Sequence, residues 1–317
     1  MSSRVIYIGA PEATAAGFLA RARADFPSLG MMATDDRDAA GRALADAEAV
    51  IAHHFQFDDA LLQRAPKLRW IQSLTTGTDA ILRLPSLRRE VVVTSTRGMH
   101  GPQMSELVLL DMLALARDFP RMLRNQQRQR WERWPQPVLT GKTVVIVGVG
   151  AISETLAPLF KALGMTVFGV SASTRQPPGF DRIFSRAELP QAASLADFLV
   201  LIVPLTAQTE SLVDRRVLAA MRPTAFLINV ARGGVLDEEA LIEALRGGRL
   251  AGAALDVFRE TPLPADSPLW REERLILTPL IGGMSDVYLD QAYPIVRQNL
   301  DCFLAGRMDE MLNIVPH

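Results

Sequence analysis

The chain has 317 residues, 49% of them apolar, with 34 basic against 35 acidic side chains and a formal net charge of −1. That length fills two domains with sizeable cores, and the balanced charge gives no field for gripping nucleic acid. The single cysteine, Cys302, excludes a disulfide framework or a thiolate metal cluster within one chain, no apolar run reaches the roughly 18 residues of a membrane span, and the start MSSRVIYIGA carries no leader-like apolar core, so the sequence reads as cytoplasmic with no membrane partner.

From the amino end, RVIYIG reads as a strand and ATAAGFLARARADF as the helix after it, with Phe18, Leu19 and Ala22 on one side. AEAVIAH, DDALLQRA, LRWIQSL and VVVTST continue as strand, helix, strand and strand. Short apolar runs separated by helices describe a parallel sheet covered on both faces. From Pro102 to Phe119 a longer helix keeps Met104, Leu107, Val108, Met112 and Leu115 on one side. The basic run RMLRNQQRQRWERW, Arg121 to Trp134, reads as a solvated helix face or a contact between copies, because the rest of the chain cancels its charge.

A second series then begins. TVVIVGV, MTVFGV, ADFLVLIVPL, AFLINV, AGAALDV and LILTP are strand candidates, and SETLAPLFKALG and DEEALIEALRGG are helices. Asp237 is placed to cap the second of these and Gly247-Gly248 to stop it. A last helix covers Val287 to Leu304. Two runs of βα units predict the α/β class with two doubly wound, parallel-sheet, Rossmann-like domains. The expected division is 1–100 with 285–317 in one domain and 101–284 in the other, the last helix returning to the first.

Ligands of such sheets bind outside the carboxyl ends of the strands. There, VVIVGVGAISETLAPLF has two glycines of a dinucleotide fingerprint, Gly148 for the tight turn and Gly150 for close approach of a pyrophosphate to the N–H groups of Ala151 and Ile152. The third glycine is replaced by Ser153, whose hydroxyl can bond back to a carbonyl of the preceding turn. The second strand ends in GVSASTR: Ser171 stands where an acidic residue would select NAD, with Ser173, Thr174 and Arg175 beyond it. Hydroxyls and a guanidinium suit a 2′-phosphate, which favours NADP over NAD. His53 and His54 are adjacent and lack the spacing that puts two ligands on one helix face, so no metal is expected.

The segments WIQSLTTGTDAI, TSTRGMHGPQMSELVLLDMLALAR, GKTVVIVGVGAISETLAPLFKALGM and LINVARGGVLDEEALIEALRGGRLAGAALDVFRETPLPADSPLW follow one another in this order. Together they resemble the D-isomer-specific 2-hydroxyacid dehydrogenases, with the glyoxylate/hydroxypyruvate reductase branch nearest. The resemblance implies a substrate domain made from both chain ends, a cleft between it and the dinucleotide domain, a homodimer, and exchange of hydride between a nicotinamide cofactor and a small 2-oxo or 2-hydroxy acid. It makes Arg232 of NVARGG the substrate anchor, and the backbone around Thr76 and Gly77 a second carboxylate-binding loop. It puts Asp256 beside the nicotinamide, Pro204 near the adenosine and Val230 along the cofactor. Trp131 and Trp134 correspond to residues that close a partner's pocket, or else pack their own helix.

Two catalytic positions depart from the pattern. Thr261 precedes Pro262 where the family has its Glu, and Leu280 follows Thr278-Pro279 where it has its proton-donating His. A positioned general acid contributes roughly 10²–10⁴ in rate. Within this sequence His100 of RGMHGP is the first candidate to replace it, Glu260 the second, and His53 or His54 the third. Leu280 then becomes an apolar wall of the substrate pocket, beside Leu74, Thr75 and Met99. Three readings stay open: a 2-oxo acid reductase with a displaced proton donor, an oxidoreductase whose substrate supplies its own acid, and a cofactor-binding sensor or interaction protein on the same scaffold.

Overall fold

Runs of three to six residues form the strands, and their ranges fall into two parallel sheets. The computed structural model describes residues 5–11, 13–173 and 175–317; Arg4 of the first predicted strand and Thr174 of the expected phosphate loop lie outside the described residues. The chain divides into two units, one of Met1–His100 with Met284–His317, the other of Gly101–Gly283.

In the first unit, β1 (Val5–Ile8), β2 (Met31–Thr34), β3 (Ala49–Ala52), β4 (Trp70–Ser73) and β5 (Val92–Thr94) lie in the order β2-β1-β3-β4-β5. Every residue of β1, β3 and β4 is buried. Successive side chains alternate between two layers, as a strand's period of two requires. Val5, Tyr7, Ala49, Ile51 and Trp70 pack with Phe18 of the helix Ala15–Asp25 and with Val296 and Leu300 of the helix Tyr288–Leu304. Ile6, Ile8, Val50, Ala52 and Ile71 face the opposite layer, with Leu44, Leu61 and Ile81.

In the second unit, β6 (Thr143–Val147), β7 (Thr166–Ser171), β8 (Arg182–Ser185), β9 (Phe198–Leu201), β10 (Phe226–Asn229), β11 (Gly252–Leu255) and β12 (Leu275–Leu277) are ordered β12-β11-β10-β9-β6-β7-β8. Strand order reverses beside β6, where β9 lies on one side and β7 on the other; this is the switch point at which doubly wound sheets bind ligands. Val144, Ile146, Val200 and Ile228 pack under the helices Gly101–Arg117 and Ala151–Ala162. Val145, Val147, Leu199 and Leu227 face the helix Glu238–Arg246, whose cap is Asp237, accepting from Ala240 N at 3.0 Å.

The α/β class and the two parallel sheets expected from the sequence are both present. Two strands were missed, β2 and β8, and each is a sheet edge. An edge strand is covered less fully and needs no apolar run: β2 is half-buried throughout, and only Phe184 of β8 is buried. The long helix expected to reach Phe119 stops at Arg117; Asp118 turns left-handed with φ 50°, and a second helix, Phe119–Gln127, takes up the basic run. Among the described residues no helix is long and apolar enough to cross a membrane.

Candidate functional site

The turn after β6 is fixed by backbone geometry. Gly148 has φ 108°, and a Cβ there would stand 2.9 Å from the backbone of Ile202 and Val203 at the end of β9. Only glycine fits both demands. Gly150 differs: a Cβ on it would meet no atom within 4 Å. Packing therefore does not explain this glycine, but room for a ligand does, since the open space lies where the helix Ala151–Ala162 begins. The N–H groups of Ala151 and Ile152 open that helix with no intrahelical partner, as the first turn of any helix does. Ser153, 1% exposed, takes the Gly150 N–H at 2.7 Å and donates its hydroxyl to the Gly150 carbonyl at 2.9 Å. The serine thus closes the turn from inside and leaves the space before it clear. These residues fit a dinucleotide's pyrophosphate.

Ser171 ends β7, half-buried. Its hydroxyl accepts from Ser173 N at 3.0 Å, and the Ser173 hydroxyl accepts from Arg175 N at 3.1 Å, so the two serines shape the loop while each keeps a hydroxyl proton to donate. The Arg175 guanidinium is held 2.7 Å from the Glu154 carboxylate on the adjacent helix. A phosphate dianion there would compete with Glu154 for it. Further along the carboxyl edge, exposed Pro204 follows β9 and accepts from the Thr209 hydroxyl at 2.6 Å. Buried Val230 follows β10, with its N–H on Leu201.

Arg232 is placed by its neighbours. Gly233 lies so close to the segment after β11 that a Cβ would sit 1.9 Å from the Phe258 carbonyl carbon. Asn229, fully buried, accepts from Ala231 N at 3.1 Å and donates to the Arg232 carbonyl at 3.3 Å. The Arg232 side chain is half-buried and donates to the Ala231 carbonyl at 2.7 Å. Asn229 and Gly233 lie inside the matched motif, yet their roles depend on strand spacing that the sequence does not display.

Asp256, 3% exposed, follows β11 and holds the loop after β12. It accepts from the Thr278 hydroxyl at 2.6 Å, Ile281 N at 3.0 Å and Gly282 N at 2.9 Å. Burial raises its carboxyl above the usual range, against the pull of these bonds. The loop carries Leu280, 44% exposed and left-handed at φ 58°. Glu260 is exposed beyond β11, and no hydrogen bond or ion pair reaches it among the described residues. Asp111, 1% exposed on the helix Gly101–Arg117, was not singled out from the sequence. Its signal was a carboxylate on the apolar face of that helix, four residues after Leu107. Burial first and the nearby Asp256 second push its carboxyl up to about 7.

In the first unit the loop after β4 gathers histidines. His100, 7% exposed, has Nδ1 2.9 Å from the Thr76 hydroxyl. His54 Nδ1 lies 3.0 Å from the Thr75 hydroxyl, which donates to the Gly77 carbonyl. Tyr288, from the last helix, donates to the Leu74 carbonyl and lies against the rings of both His53 and His100. His100 is thereby brought to the Thr76 hydroxyl. Glu260 belongs to the other unit.

Residues 109–282 match the model of the D-isomer specific 2-hydroxyacid dehydrogenase, NAD binding domain. The chain belongs to that family. Its second unit is accordingly a nicotinamide-dinucleotide-binding domain, and the chain is of the 2-hydroxyacid dehydrogenase type of oxidoreductase. It is 33% identical to the glyoxylate reductase of Thermococcus litoralis, over 79% of this chain and 78% of that protein. It is 32% identical to the D-3-phosphoglycerate dehydrogenase of Methanocaldococcus jannaschii over 81% of this chain, but spans only 49% of that longer protein. Among solved structures, a family member from Aeromonas salmonicida aligns over 99% of both chains at 34% identity and a TM-score of 0.90. The NADPH-dependent glyoxylate/hydroxypyruvate reductase of Sinorhizobium meliloti, in complex with NADP and sulfate, aligns over 98% of this chain and 97% of that one at 27% identity and a TM-score of 0.85.

The three glycines of this dehydrogenase separate in experiment. Gly148→Ala and Gly233→Ala should each cost upward of about 1 kcal/mol of stability, through left-handed strain and steric overlap. Gly150→Ala should melt as wild type while binding of NADPH weakens at least about tenfold, roughly 1.4 kcal/mol; a Gly150→Ala protein that binds normally would remove the cradle. Asp111 gives a pH signature. Its folded pKa lies above its unfolded one, so the folded state binds the extra proton and stability falls as pH rises from about 4 to about 7 and levels off above. Asp111→Asn should flatten that fall and be more stable than wild type at pH 8 by on the order of a few kcal/mol, read by thermal or urea unfolding across pH 5–8.

Proposed function

We propose that the protein is an NADP-preferring reductase of small 2-oxo acids in which the proton donor has moved from the unit of Gly101–Gly283 to the histidine-bearing loop of the other unit. The carrying observation is the 2.9 Å hydrogen bond between His100 Nδ1 and the hydroxyl of Thr76. It orients an imidazole on the loop that resembles the family's carboxylate-binding loop, whereas Leu280 has no proton to give.

NADPH, when bound, supplies hydride. The remaining tasks fall to the chain. Backbone around Thr76 and Gly77 holds the substrate carboxylate, and Arg232 pairs with that carboxylate and draws charge onto the reacting carbonyl oxygen. His100 gives the proton that turns the developing alkoxide into the hydroxyl. Leu280 lines the pocket with apolar surface and Asp256 keeps its loop in place. Glu260, exposed and unbonded, is the weaker donor. Ser171, Ser173 and Arg175 receive the 2′-phosphate, with Arg175 exchanging Glu154 for it. The S. meliloti relative, described as NADPH-dependent, supports this choice of cofactor. The protein works in the cytoplasm, without metal, nucleic acid or membrane.

The functional form is a homodimer. On the second unit Leu110, Leu113, Phe119, Leu123 and Trp131 are exposed, Trp131 at 93%. The segment that carries Trp131 folds back on the helix Phe119–Gln127 through the Arg121–Glu132 ion pair and the stacking of Arg121 on Trp134. An apolar patch of this kind on a stable surface marks an interaction site.

Purified protein should oxidise NADPH faster than NADH with at least one acid from glyoxylate, hydroxypyruvate and phenylpyruvate. Arg232→Ala should lower kcat/KM by about 10²-fold or more, and His100→Ala should lower kcat by about 10²–10⁴. Folded protein that binds NADPH and turns over none of these acids would sink the reductase reading in favour of a sensor. Light scattering should give twice the chain mass at micromolar concentration, and Trp131→Ala should shift it toward one chain; a wild-type monomer excludes the dimer.

A further inference from the structure

We propose that Asp111 is a positioning residue for the nicotinamide side of the site: as a neutral acid it lets Asp256 hold the Thr278–Gly282 loop, and when it ionises the loop is released.

The geometry places the two carboxyls on one helix face. A Cβ on Gly282 would stand 2.7 Å from Leu107 Cδ2, 2.9 Å from Asp256 Oδ2 and 3.1 Å from Met104 Sδ. Asp256 therefore lies against the face of the helix Gly101–Arg117 that presents Met104 and Leu107, and Asp111 is one turn further along that face. Both carboxyls are buried, so two adjacent anions would repel with little screening.

The hydrogen bonds decide which of them keeps a proton. Asp256 accepts from three donors and is held as the anion. Asp111 Oδ2 is buried with no hydrogen-bond partner among the described residues. Among the described residues no cation is paired with it. On its own helix Glu106 and Arg117 are exposed. The helix Phe119–Gln127 offers Arg121, paired with Glu132, and half-buried Arg124. The helix Ala151–Ala162 offers Glu154, paired with Arg175, and exposed Lys161, paired with Asp181. The strands β10 and β11 carry no ionisable residue. Beside burial itself, Asp256 is the charge among the described residues that acts on Asp111, and it works against ionisation.

The proton on Asp111 is therefore held only up to near neutral pH. Above that, a second anion is forced beside the first, and the cheapest relief is for Asp256 to give up its donors. The loop depends on them: among the described residues its backbone is otherwise held by Thr278 N on the Leu255 carbonyl and by Leu280 N on the carbonyls of Asp256 and Thr278, and Leu280 is in the left-handed region. The same loop runs into Gly283, whose carbonyl accepts from the Gln103 amide at 3.5 Å, so its release is felt at the start of the helix that bears Asp111.

The meaning given to the loop rests on the reductase reading, but the test does not. Amide hydrogen exchange at Ile281 and Gly282 is followed in the full, ligand-free chain from pH 4.5 to 8.5 and expressed as protection relative to the unstructured rate. Protection should fall by up to about tenfold per pH unit as pH rises toward 7 in the wild type and level off above it, and should be flat in Asp111→Asn. Asp111→Leu serves as the second variant should Asp111→Asn fail to fold. Parallel profiles in wild type and variants, or a loop unprotected in the variants at every pH, overturn the proposal. NADPH titrations over the same range separate it from the functional reading. Protein that binds no nucleotide at any pH, yet shows the protection profile, removes the cofactor reading and leaves the coupling standing. Normal binding with pH-insensitive protection does the reverse.

Discussion

A parallel sheet buried on both faces has few places left for chemistry, and this constraint arranges everything else in the molecule. Helices cover both sides of β1, β3 and β4 in one unit and of β6, β9 and β10 in the other. What remains accessible is the carboxyl edge, where the chain leaves each strand to begin a helix. Gly148, Pro204, Arg232 and Asp256 follow strands of the second sheet and Ser171 ends one, and the Thr75–Gly77 loop and His54 follow strands of the first. Within each sheet, residues far apart in sequence come to one edge because parallel strands all point the same way.

Much of this was legible in the sequence, for identifiable reasons. Buried strands such as TVVIV and FLVL are continuous apolar runs because both their faces are covered. The strands β2 and β8 were not legible, because an edge strand needs no such run. The glycine turn could be read because its backbone demands are local, and the bonds of Ser153 stay within three residues. Asp111 could not be read in this way. On a helical projection it is a polar interruption of an apolar stripe, and its meaning arises only when Asp256, 145 positions later, arrives beside it. The pairing of His100 with Thr76 was hidden for the same reason: 24 residues separate them, and the sheet brings them together.

The two departures from the family's pattern also look different once placed. Thr261 is exposed, so its identity is not fixed by burial. Leu280 sits in a loop whose backbone is fully specified, by an aspartate that takes three donors and by a glycine pressed against a helix.

The discontinuity of the first unit bears on how the chain is made. Its sheet is finished by residues that follow the second unit in the chain: Val315 N bonds to the Val93 carbonyl, Ser95 N to that of Asn313, and the buried Asn299 amide to Gln72. One face of the sheet is covered in part by the helix Ala15–Asp25 and completed only by the helix Tyr288–Leu304. The second unit, by contrast, holds all its strands once residue 283 is in place. During synthesis the first hundred residues emerge before the helix that completes one face of their sheet, while the unit encoded after them has all its strands earlier. That interval is when a chaperone has most to do, and it makes truncation near the carboxyl end damaging far from the cut.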